Sequence, residues 1–464
     1  MTAYLQPLAA AILCAFASMT LTGCASLPHV QPLLNVAAKN PSLPELYGPG
    51  GRLSLPATRA LVRHLEHEAG DTGLLRTQLT VTGALPGHKP LVLGNRAQLL
   101  VDGPATLDAM TRAIESARDT IDMETYIFAD DKLGRALANL LIEKQKAGVQ
   151  VNLIYDSVGS LDTPDAFFQR MKDAGIRVIE FNPVNPLKAT HGWKLNNRDH
   201  RKLLIVDGNT VFTGGVNVSD GYSSSSFTFH RHDKRLPWRD TEVEITGPVA
   251  HYFQEIFFAD WKSQHGPPLK DHDYFPKIAV YGTQVVRAIS SEAEGEPNRV
   301  YIALISAISN AQRSVHLTAA YFAPDPQLLH ALTGAARRGV DVALILPSRS
   351  DFWPVLYTGR SYYHELLAAG VKIYERHNAL LHAKTAVIDG VWATIGSTNL
   401  DWRSLSLNAE VNAVIIGRDF SRQMERLFQR DLRQSRHITL SRWNRRSLPE
   451  RIKELFGRIA APLM

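Results

Sequence analysis

Two distant segments of the chain carry the same pattern of residues, His-x-Lys-x4-Asp-x6-Gly-small-x-Asn, and the two copies align without a gap. A match at six fixed positions in two places is hard to attribute to chance. The first copy comprises His200, Lys202, Asp207, Gly214, Gly215 and Asn217, and the second comprises His382, Lys384, Asp389, Gly396, Ser397 and Asn399. Together they provide two imidazoles that exchange protons near neutral pH, two cations and two amides.

These residue types suit the cleavage of a phosphodiester without a metal ion. Lys202 and Lys384 can neutralise the non-bridging oxygens and the charge that develops on them in the transition state. One neutral histidine, His200 or His382, attacks phosphorus and leaves a phosphohistidine. The other histidine, protonated, donates to the leaving oxygen and later removes a proton from the incoming alcohol or water. This division of labour predicts histidine pKa values pushed apart around neutrality.

The end of each copy predicts hydrogen bonds to the phosphate. The amides of Asn217 and Asn399 and the hydroxyl of Ser397 can donate to its oxygens. Glycine leaves the backbone bare at Gly215, so its N–H group can approach the same anion. We therefore predict a phosphate-binding role for these four residues.

Acidic residues near the pattern fall into two groups. Asp240 and Glu410 occupy equivalent places downstream of the two copies, and we predict that they hold the histidine rings in their working tautomer. Asp207 and Asp389 complete the candidate catalytic set because they belong to the pattern. For these two the sequence favours pairing with a cation or capping of a turn, since the Asp-Gly pairs predict tight hairpin turns. Convergent metal ligands are missing from the sequence, so we predict no metal and no cofactor.

The elements that must position these residues also recur. In His-x-Lys on a strand, both side chains point to one face, so each half can present a histidine and a lysine at a shared seam. Outside the pattern, matched segments read as helices stopped by glycine and followed by short strands, such as Ala147–Ile154 and Arg338–Ile345. Alternating helices and strands predict the α/β class, with an α/β sandwich in each half.

The repeat also sets the predicted domains. Residues 96–275 form the first lobe and residues 276–430 the second, after a linker or cap at residues 25–95 with one helix at Arg59–Glu68. Twelve additional residues of the first half are assigned to a loop within Tyr222–Arg235. Residues 431–464 form a basic tail. Apolar spacing at residues 449–459 predicts an amphipathic helix that packs on the protein core, with membrane-surface contact as the alternative.

The first 24 residues are predicted to be a lipoprotein signal peptide. Leu8 to Met19 is an apolar run too short to span a bilayer, and Leu21-Thr22-Gly23-Cys24 is typical of a lipoprotein cleavage site. An uncleaved anchor or a buried helix is the alternative, since no basic residue precedes the run. With Cys24 as the lipidated residue, we expect a lipid-anchored protein of the bacterial cell envelope on the periplasmic side. Ala25 after the cysteine permits sorting to the outer membrane.

Charge indicates the class of partner. The formal net charge of +6 and the pI near 9.2 favour contact with anions, and nucleic acid and anionic lipid fit this balance equally well. Both cysteines of the chain lie within its first 24 residues, which excludes a disulfide framework in the body.

The paired motifs resemble those of the phospholipase D superfamily over roughly residues 95 to 430. Within it, the closest resemblance is to bacterial cardiolipin synthases of the phospholipase D type. It rests on Arg198-Asp199-His200 leading to Gly214-Gly215, on Asn399 to Ser404 with Asn408 to Asn412, and on Tyr363 to Gly370.

The resemblance implies two similar α/β/α sandwich lobes with pseudo-twofold symmetry and an active site at their interface. It also implies that His200 is the nucleophile and His382 the general acid. The implied reaction is phosphatidyl transfer, in which two molecules of phosphatidylglycerol give cardiolipin and glycerol. Anionic phospholipid and a membrane surface are then the expected partners, with no nucleic acid and with a monomeric chain.

Three alternatives stay open on the sequence. Water could replace the lipid alcohol, which would make the protein a hydrolytic phospholipase D that releases phosphatidic acid. Nucleases and other phosphodiesterases belong to the same superfamily. A lipid-binding lipoprotein without activity is the third, although both motifs are complete.

Overall fold

The computed structural model describes residues 27–39, 43–48, 50–68, 70, 73–83, 87–188, 194–227, 236–292 and 298–460. The predicted signal peptide and the candidate lipidation site Cys24 lie outside these residues.

The segment ahead of the first lobe contains more structure than the single predicted helix. It comprises α1 (Val30–Lys39), β1 (Leu46–Gly48), β2 (Gly51–Arg52), α2 (Leu55–Glu68) and α3 (Leu74–Gly83). The predicted helix lies within α2, but the prediction of one helix is wrong. The reason is tertiary packing: Leu34 of α1 and Leu79 of α3 are buried in the core of the second lobe, and Gln78 donates to the carbonyl of Ala303 there at 2.6 Å.

The first lobe alternates strands and helices. Its elements are β3 (Leu91–Val101), α4 (Asp102–Ser116), β4 (Thr120–Thr125), α5 (Lys132–Lys146), β5 (Gln150–Asp156), α6 (Asp165–Asp173), β6 (Arg177–Phe181), β7 (Arg198–Asp199), β8 (Lys202–Val206), β9 (Thr210–Gly214), β10 (Trp238–Arg239), β11 (Thr241–Thr246) and α7 (Ala250–Ser263).

The second lobe repeats this succession. Its elements are β12 (Gln284–Ser291), α8 (Arg299–Asn310), β13 (Ser314–Ala319), α9 (Pro326–Arg337), β14 (Asp341–Pro347), α10 (Trp353–Ser361), α11 (Tyr363–Ala368), β15 (Lys372–Arg376), β16 (Leu380–Leu381), β17 (Lys384–Ile388), β18 (Trp392–Gly396), α12 (Trp402–Ser406), β19 (Asn408–Ile416) and α13 (Arg418–Leu432). The tail adds β20 (Ser435–Ile438), α14 (Leu440–Asn444) and α15 (Leu448–Ala460).

The main sheets of the two lobes have the same strand order and directions. The first sheet runs β6-β5-β4-β8-β9-β11-β3, with β4, β5 and β6 parallel and the other neighbours antiparallel. The second runs β15-β14-β13-β17-β18-β19-β12 with the same directions. The prediction of an α/β fold with two similar lobes is confirmed.

Strand β3 joins the two sheets. Its residues 96–101 pair with β11 of the first lobe, while Val92 and Asn95 pair with β12 of the second. At the other edge of the second sheet, β20 pairs with β15. The first residues after the predicted boundary at 430 therefore extend the sheet of the second lobe. The domain boundaries themselves stay a prediction.

Helices cover both faces of each sheet, which gives the sandwich. Helices α4, α5 and α6 bury Ile114, Leu141 and Met171 against one face of the first sheet. On the opposite side, α7 and α13 contribute Phe253 and Phe420 to an apolar core that both sheets share. Such burial is the main favourable contribution to folding.

Helix α15 presents its apolar residues to solvent. Leu448, Ile452, Leu455, Phe456 and Ile459 are exposed, whereas Glu454 and Gly457 on the opposite face are buried. The prediction that this helix packs its apolar face on the core is therefore wrong. None of the described helices is both long and apolar enough to cross a bilayer.

Candidate active site

Two short strand pairs cross between the lobes and bring the motifs together. Strand β7, just before His200, pairs in parallel with the start of β19, and β10 pairs in parallel with β16, just before His382. The crossing continues by one residue: the N–H of His200 donates to the carbonyl of Ala409 at 3.0 Å, and that of His382 donates to the carbonyl of Arg239 at 2.8 Å. Each histidine thus lies beside the acidic residue that follows in the other lobe.

The two histidines are buried and exchange carboxylate partners between the lobes. His200 Nδ1 lies 3.1 Å from both carboxylate oxygens of Glu410, and His382 Nδ1 lies 2.8 Å from Asp240 Oδ2. We assign the proton of each neutral ring to Nδ1, where it donates to the carboxylate. The Nε2 lone pair is then left for chemistry on both rings.

The motif lysines lie next to the histidines. Lys202 Nζ donates to the carbonyl of His200 at 2.6 Å, and Lys384 Nζ contacts the carbonyl of His382 and lies 2.9 Å from its Nδ1. Burial lowers the pKa of Lys202 to about 7 and that of Lys384 to about 8. Burial favours the neutral amine of each lysine, so an anionic ligand nearby would raise the pKa of both lysines and favour their charged form.

The pKa values of the two histidines move in the same direction. Burial, followed by the charges of Lys202 and Lys384, lowers the pKa of His200 well below its ordinary value. Burial and Lys384 also lower the pKa of His382, although Asp240 opposes them. The sequence predicts values pushed apart around neutrality; the structure lowers both, because both imidazoles are dry and face cations. Burial raises the pKa of Glu410 to about 7.

The four predicted phosphate ligands differ in their contacts. Asn399 Oδ1 is buried and has no hydrogen-bond partner within the part of the chain that the structure describes. Asn217 accepts from the N–H of Ile127 at 3.2 Å and donates to the hydroxyl of Tyr222 at 3.1 Å. Both polar groups of Asn217 are therefore engaged within the chain. The unpartnered atom of Asn399 is an oxygen, which accepts hydrogen bonds, so only the Nδ2 group of Asn399 could donate to a phosphate oxygen.

Ser397 and Gly215 are engaged differently from the prediction. The Ser397 hydroxyl donates to Glu410, which fixes the acid that contacts His200. The N–H of Gly215 donates to the carbonyl of Thr241 at 3.2 Å, and a Cβ atom at this position would collide with the carboxylate of Asp240. Position 215 needs a small residue because the Asp240 carboxylate packs against it. Gly215 and Ser397 therefore help to position Asp240 and Glu410.

The motif aspartates lie at the far end of their strands from the histidines. The carboxylate of Asp207 accepts the N–H groups of residues 118, 119 and 120, and that of Asp389 accepts those of residues 312, 313 and 314. Both residues have positive φ, 49° and 52°, in the turn of a hairpin. Their place in the candidate catalytic set is therefore corrected: they cap turns, as the Asp-Gly pairs favour.

Four aromatic residues around the histidines were missed by the sequence analysis. The Tyr126 ring lies 5.1 Å from that of His200, while Trp238 and Tyr321 lie 4.9 and 6.3 Å from His382 between ring centroids. The Tyr222 hydroxyl lies 3.1 Å from His382 Nδ1. For Tyr222, the sequence did contain a signal: it is the first residue of the additional loop that distinguishes the first half of the repeat from the second.

Buried arginines flank the site at the seam. Arg239, next to Asp240, binds Asp431 of α13 through Nε at 2.9 Å and Nη2 at 2.7 Å. Arg201, between the first motif histidine and lysine, contacts Asp260 of α7 and lies 2.9 Å from Glu292 of the second lobe. These contacts hold the two lobes in register around the histidines.

No group of three or more His, Cys, Asp or Glu side chains arranged to hold a metal ion occurs among the described residues.

Comparison with known proteins identifies the family. A sequence model described as "Cardiolipin synthase, PLD-like domain" matches residues 110–256 and 304–432, one segment in each lobe. The chain belongs to this family. Cardiolipin synthase 2 of Bacillus anthracis is 37% identical over 368 residues, which cover 79% of this chain and 70% of the relative. Cardiolipin synthase A of Pseudomonas putida is 37% identical over 78% of this chain and 73% of its own.

Solved structures share the fold. The crystal structure of phosphatidylserine synthase from Haemophilus influenzae superposes with a TM-score of 0.56 over 79% of this chain and 94% of its own, at 14% identity. At that identity the likeness shows the fold alone.

Proposed function

We propose that this protein is a phospholipase D-type phosphatidyltransferase that makes cardiolipin from phosphatidylglycerol, through a phosphohistidine on His200. Membership of the cardiolipin synthase family supports the transferase activity and the lipid class. The observation that carries the mechanism is the crossed pairing of His200 with Glu410 and of His382 with Asp240 in one buried site.

In the first step, His200 Nε2 attacks the phosphorus of phosphatidylglycerol. A P–N bond forms, the P–O bond to glycerol breaks, and protonated His382 gives its proton to the departing alkoxide. An anionic phosphodiester beside Lys202 and Lys384 offsets their charge, and it thereby raises the pKa of His382 for this task.

In the second step, a hydroxyl of another phosphatidylglycerol loses its proton to His382 and attacks the same phosphorus. The P–N bond breaks, His200 is regenerated, and cardiolipin leaves. Throughout, the two lysines stabilise the phosphoryl oxygens, and the Nδ2 group of Asn399 is the proposed additional donor. Glu410 and Asp240 keep Nδ1 of each ring protonated and so keep Nε2 available.

The setting is also a proposal. We expect the chain to work as a monomer at a membrane surface of the bacterial envelope, anchored through a lipid on Cys24 on the periplasmic side.

The test is product analysis with purified protein and phosphatidylglycerol vesicles. Cardiolipin and glycerol should form. His200→Ala should lower the rate by roughly 10³-fold or more, and with labelled phosphatidylglycerol it should abolish the covalent phosphatidyl-enzyme. His382→Ala should lower the rate similarly. Phosphatidic acid without cardiolipin would instead indicate a hydrolase, and DNA cleavage at a comparable rate that His200→Ala removes would indicate a nuclease.

His316→Ala is the matched control. His316 is also buried and bound to a carboxylate, with Nδ1 2.8 Å from Glu425, but it lies on β13 outside both motifs. The His316→Ala variant should turn over phosphatidylglycerol at the same rate per folded molecule as the protein without the substitution.

A further inference from the structure

We propose that α15 and the start of α10 form a surface that docks this protein on an anionic phospholipid bilayer, beside the mouth of the proposed active site. The choice of lipid rests on the proposed function, while the surface itself rests on exposed residues. The docking surface comprises Phe352, Trp353, Leu448, Ile452, Leu455, Phe456 and Ile459.

The apolar side chains of α15 lie on one stripe of the helix and face solvent. They occupy positions i, i+4, i+7, i+8 and i+11, which share one face of an α-helix. Their exposed fractions are 69% for Leu448, 46% for Ile452, 60% for Leu455, 65% for Phe456 and 69% for Ile459. A continuous apolar stripe of this kind on the exposed surface of a protein indicates an interaction site.

The opposite face of α15 is fixed to the protein body. Gly457 packs so closely on the backbone of α10 that a Cβ atom would collide with residues 357 and 358, and its carbonyl accepts from Thr358 Oγ1 at 2.8 Å. Glu454 is buried in an ion pair with Arg446 at 2.7 Å. The polar face thus anchors the helix, and its apolar stripe is held outward.

Charge selects the occupant. Three exposed basic residues of α15 lie beside the stripe, Arg451, Lys453 and Arg458, and Arg442 and Arg445 are exposed in and just after the preceding helix α14. In the described residues 440–460, Glu450 is the one exposed acid, since Glu454 is buried. A second copy of this chain would bring the same positive charge against itself. An apolar stripe bordered by basic residues instead fits an anionic bilayer, where the apolar side chains enter the headgroup boundary.

The docking surface leads directly to the histidines. The Tyr321 ring lies 6.3 Å from that of His382, and the Tyr321 hydroxyl donates to Asp351 at 2.8 Å. The next two residues, Phe352 and Trp353, are 49% and 62% exposed and begin α10, on which α15 packs. A bilayer that meets this surface therefore lies beside residues that contact the proposed active site.

The first lobe also has an exposed leucine near its motif histidine. Ser160 Oγ donates to the carbonyl of Tyr126 at 3.2 Å, and the Tyr126 ring packs on His200. The following residue, Leu161, is 66% exposed.

The test is co-sedimentation of the full chain, carrying Cys24→Ser to remove the proposed acyl anchor, with vesicles of phosphatidylcholine, with and without phosphatidylglycerol. Ile452→Ser with Phe456→Ser should weaken binding to both kinds of vesicle by about tenfold. Arg451→Gln with Arg458→Gln should weaken binding to phosphatidylglycerol vesicles alone, and added salt should have the same effect. Val280→Ser is the control, because Val280 is a similarly exposed apolar residue, 62% exposed, outside the docking surface. Its neighbour Tyr281 donates its N–H to the carbonyl of Gly94 in β3.

Vesicle binding unchanged by Ile452→Ser with Phe456→Ser would overturn the proposal. So would a concentration-dependent dimer that this double variant dissociates, because a second copy would then be the occupant.

A second readout separates this inference from the proposed function. The double variant should keep its rate on phosphatidylglycerol dissolved in detergent micelles and lose it on vesicles, while His200→Ala should bind vesicles normally. If no cardiolipin forms yet the double variant still loses vesicle binding, the docking surface stands and the proposed function fails.

Discussion

At the scale of single residues, the site depends on an exchange between lobes. The types and spacing of the motif residues predict histidines, lysines and two supporting acids, and the structure places these together. The exchange itself could not be read from the sequence, because each acid follows its own motif along the chain. Only the crossed strands β7 and β10 show that Glu410 contacts His200 and Asp240 contacts His382.

The lysines predict how the rate depends on pH. Their pKa values of about 7 and 8 lie below the ordinary value for lysine, so raising the pH removes the charge that attracts the phosphodiester. We expect kcat/KM, which reports the free enzyme, to fall as the pH rises through 7 to 8. A pH series with phosphatidylglycerol in micelles measures this. A kcat/KM that stays level up to about pH 9 would contradict the assignment.

At the scale of elements, sequence analysis succeeded where a local rule decides the conformation. The Asp-Gly pairs predict hairpin turns, and these are observed between β8 and β9 and between β17 and β18. It failed for α1 and α3, whose burial depends on the second lobe, far along the chain. Helix α3 also contains three threonines and a valine, which are weak helix formers. It also failed for the orientation of α15, because amphipathic spacing identifies an apolar face without saying what covers it.

We expect the Asp389→Ala substitution to lower the free energy of unfolding without lowering the turnover of the folded protein. Asp389→Ala removes a carboxylate that accepts three backbone N–H groups and places alanine at positive φ, so we expect a loss of about 2–4 kcal/mol in the free energy of unfolding. Urea denaturation measures it. The turnover of the folded variant should be unchanged, and a loss comparable to that of His382→Ala would return Asp389 to the catalytic set.

Asp341→Ala, on β14 of the same sheet, is the matched control. Asp341 forms a largely exposed pair with Lys372 at 2.8 Å, so its removal should cost less than about 1 kcal/mol.

At the scale of the whole molecule, the two lobes form one unit through β3 and the buried ion pairs of the seam. The repeat in the sequence predicts two similar lobes but not this union, since no pattern in the sequence shows that β3 pairs with β12 or that Asp431 contacts Arg239. Long-range pairing of this kind leaves no local pattern in the chain.

Asp431 tests the contribution of the seam to stability. Asp431→Ala leaves the buried Arg239 and Arg376 without their shared counterion, so we expect a loss of about 3–5 kcal/mol. The first transition in urea should move to lower concentration. Asp419→Ala, on the same helix and paired with Arg422 in solvent, should move it hardly at all. Equal midpoints for the two variants would show that the seam contributes little.

The exchange of acids has a consequence for descent by duplication. In the proposed mechanism, a mutation of Glu410 in the second half disables the imidazole of the first, and a mutation of Asp240 in the first half disables that of the second. Neither copy can therefore diverge alone or take over the chemistry of its twin, and natural selection must preserve both as a single heritable trait.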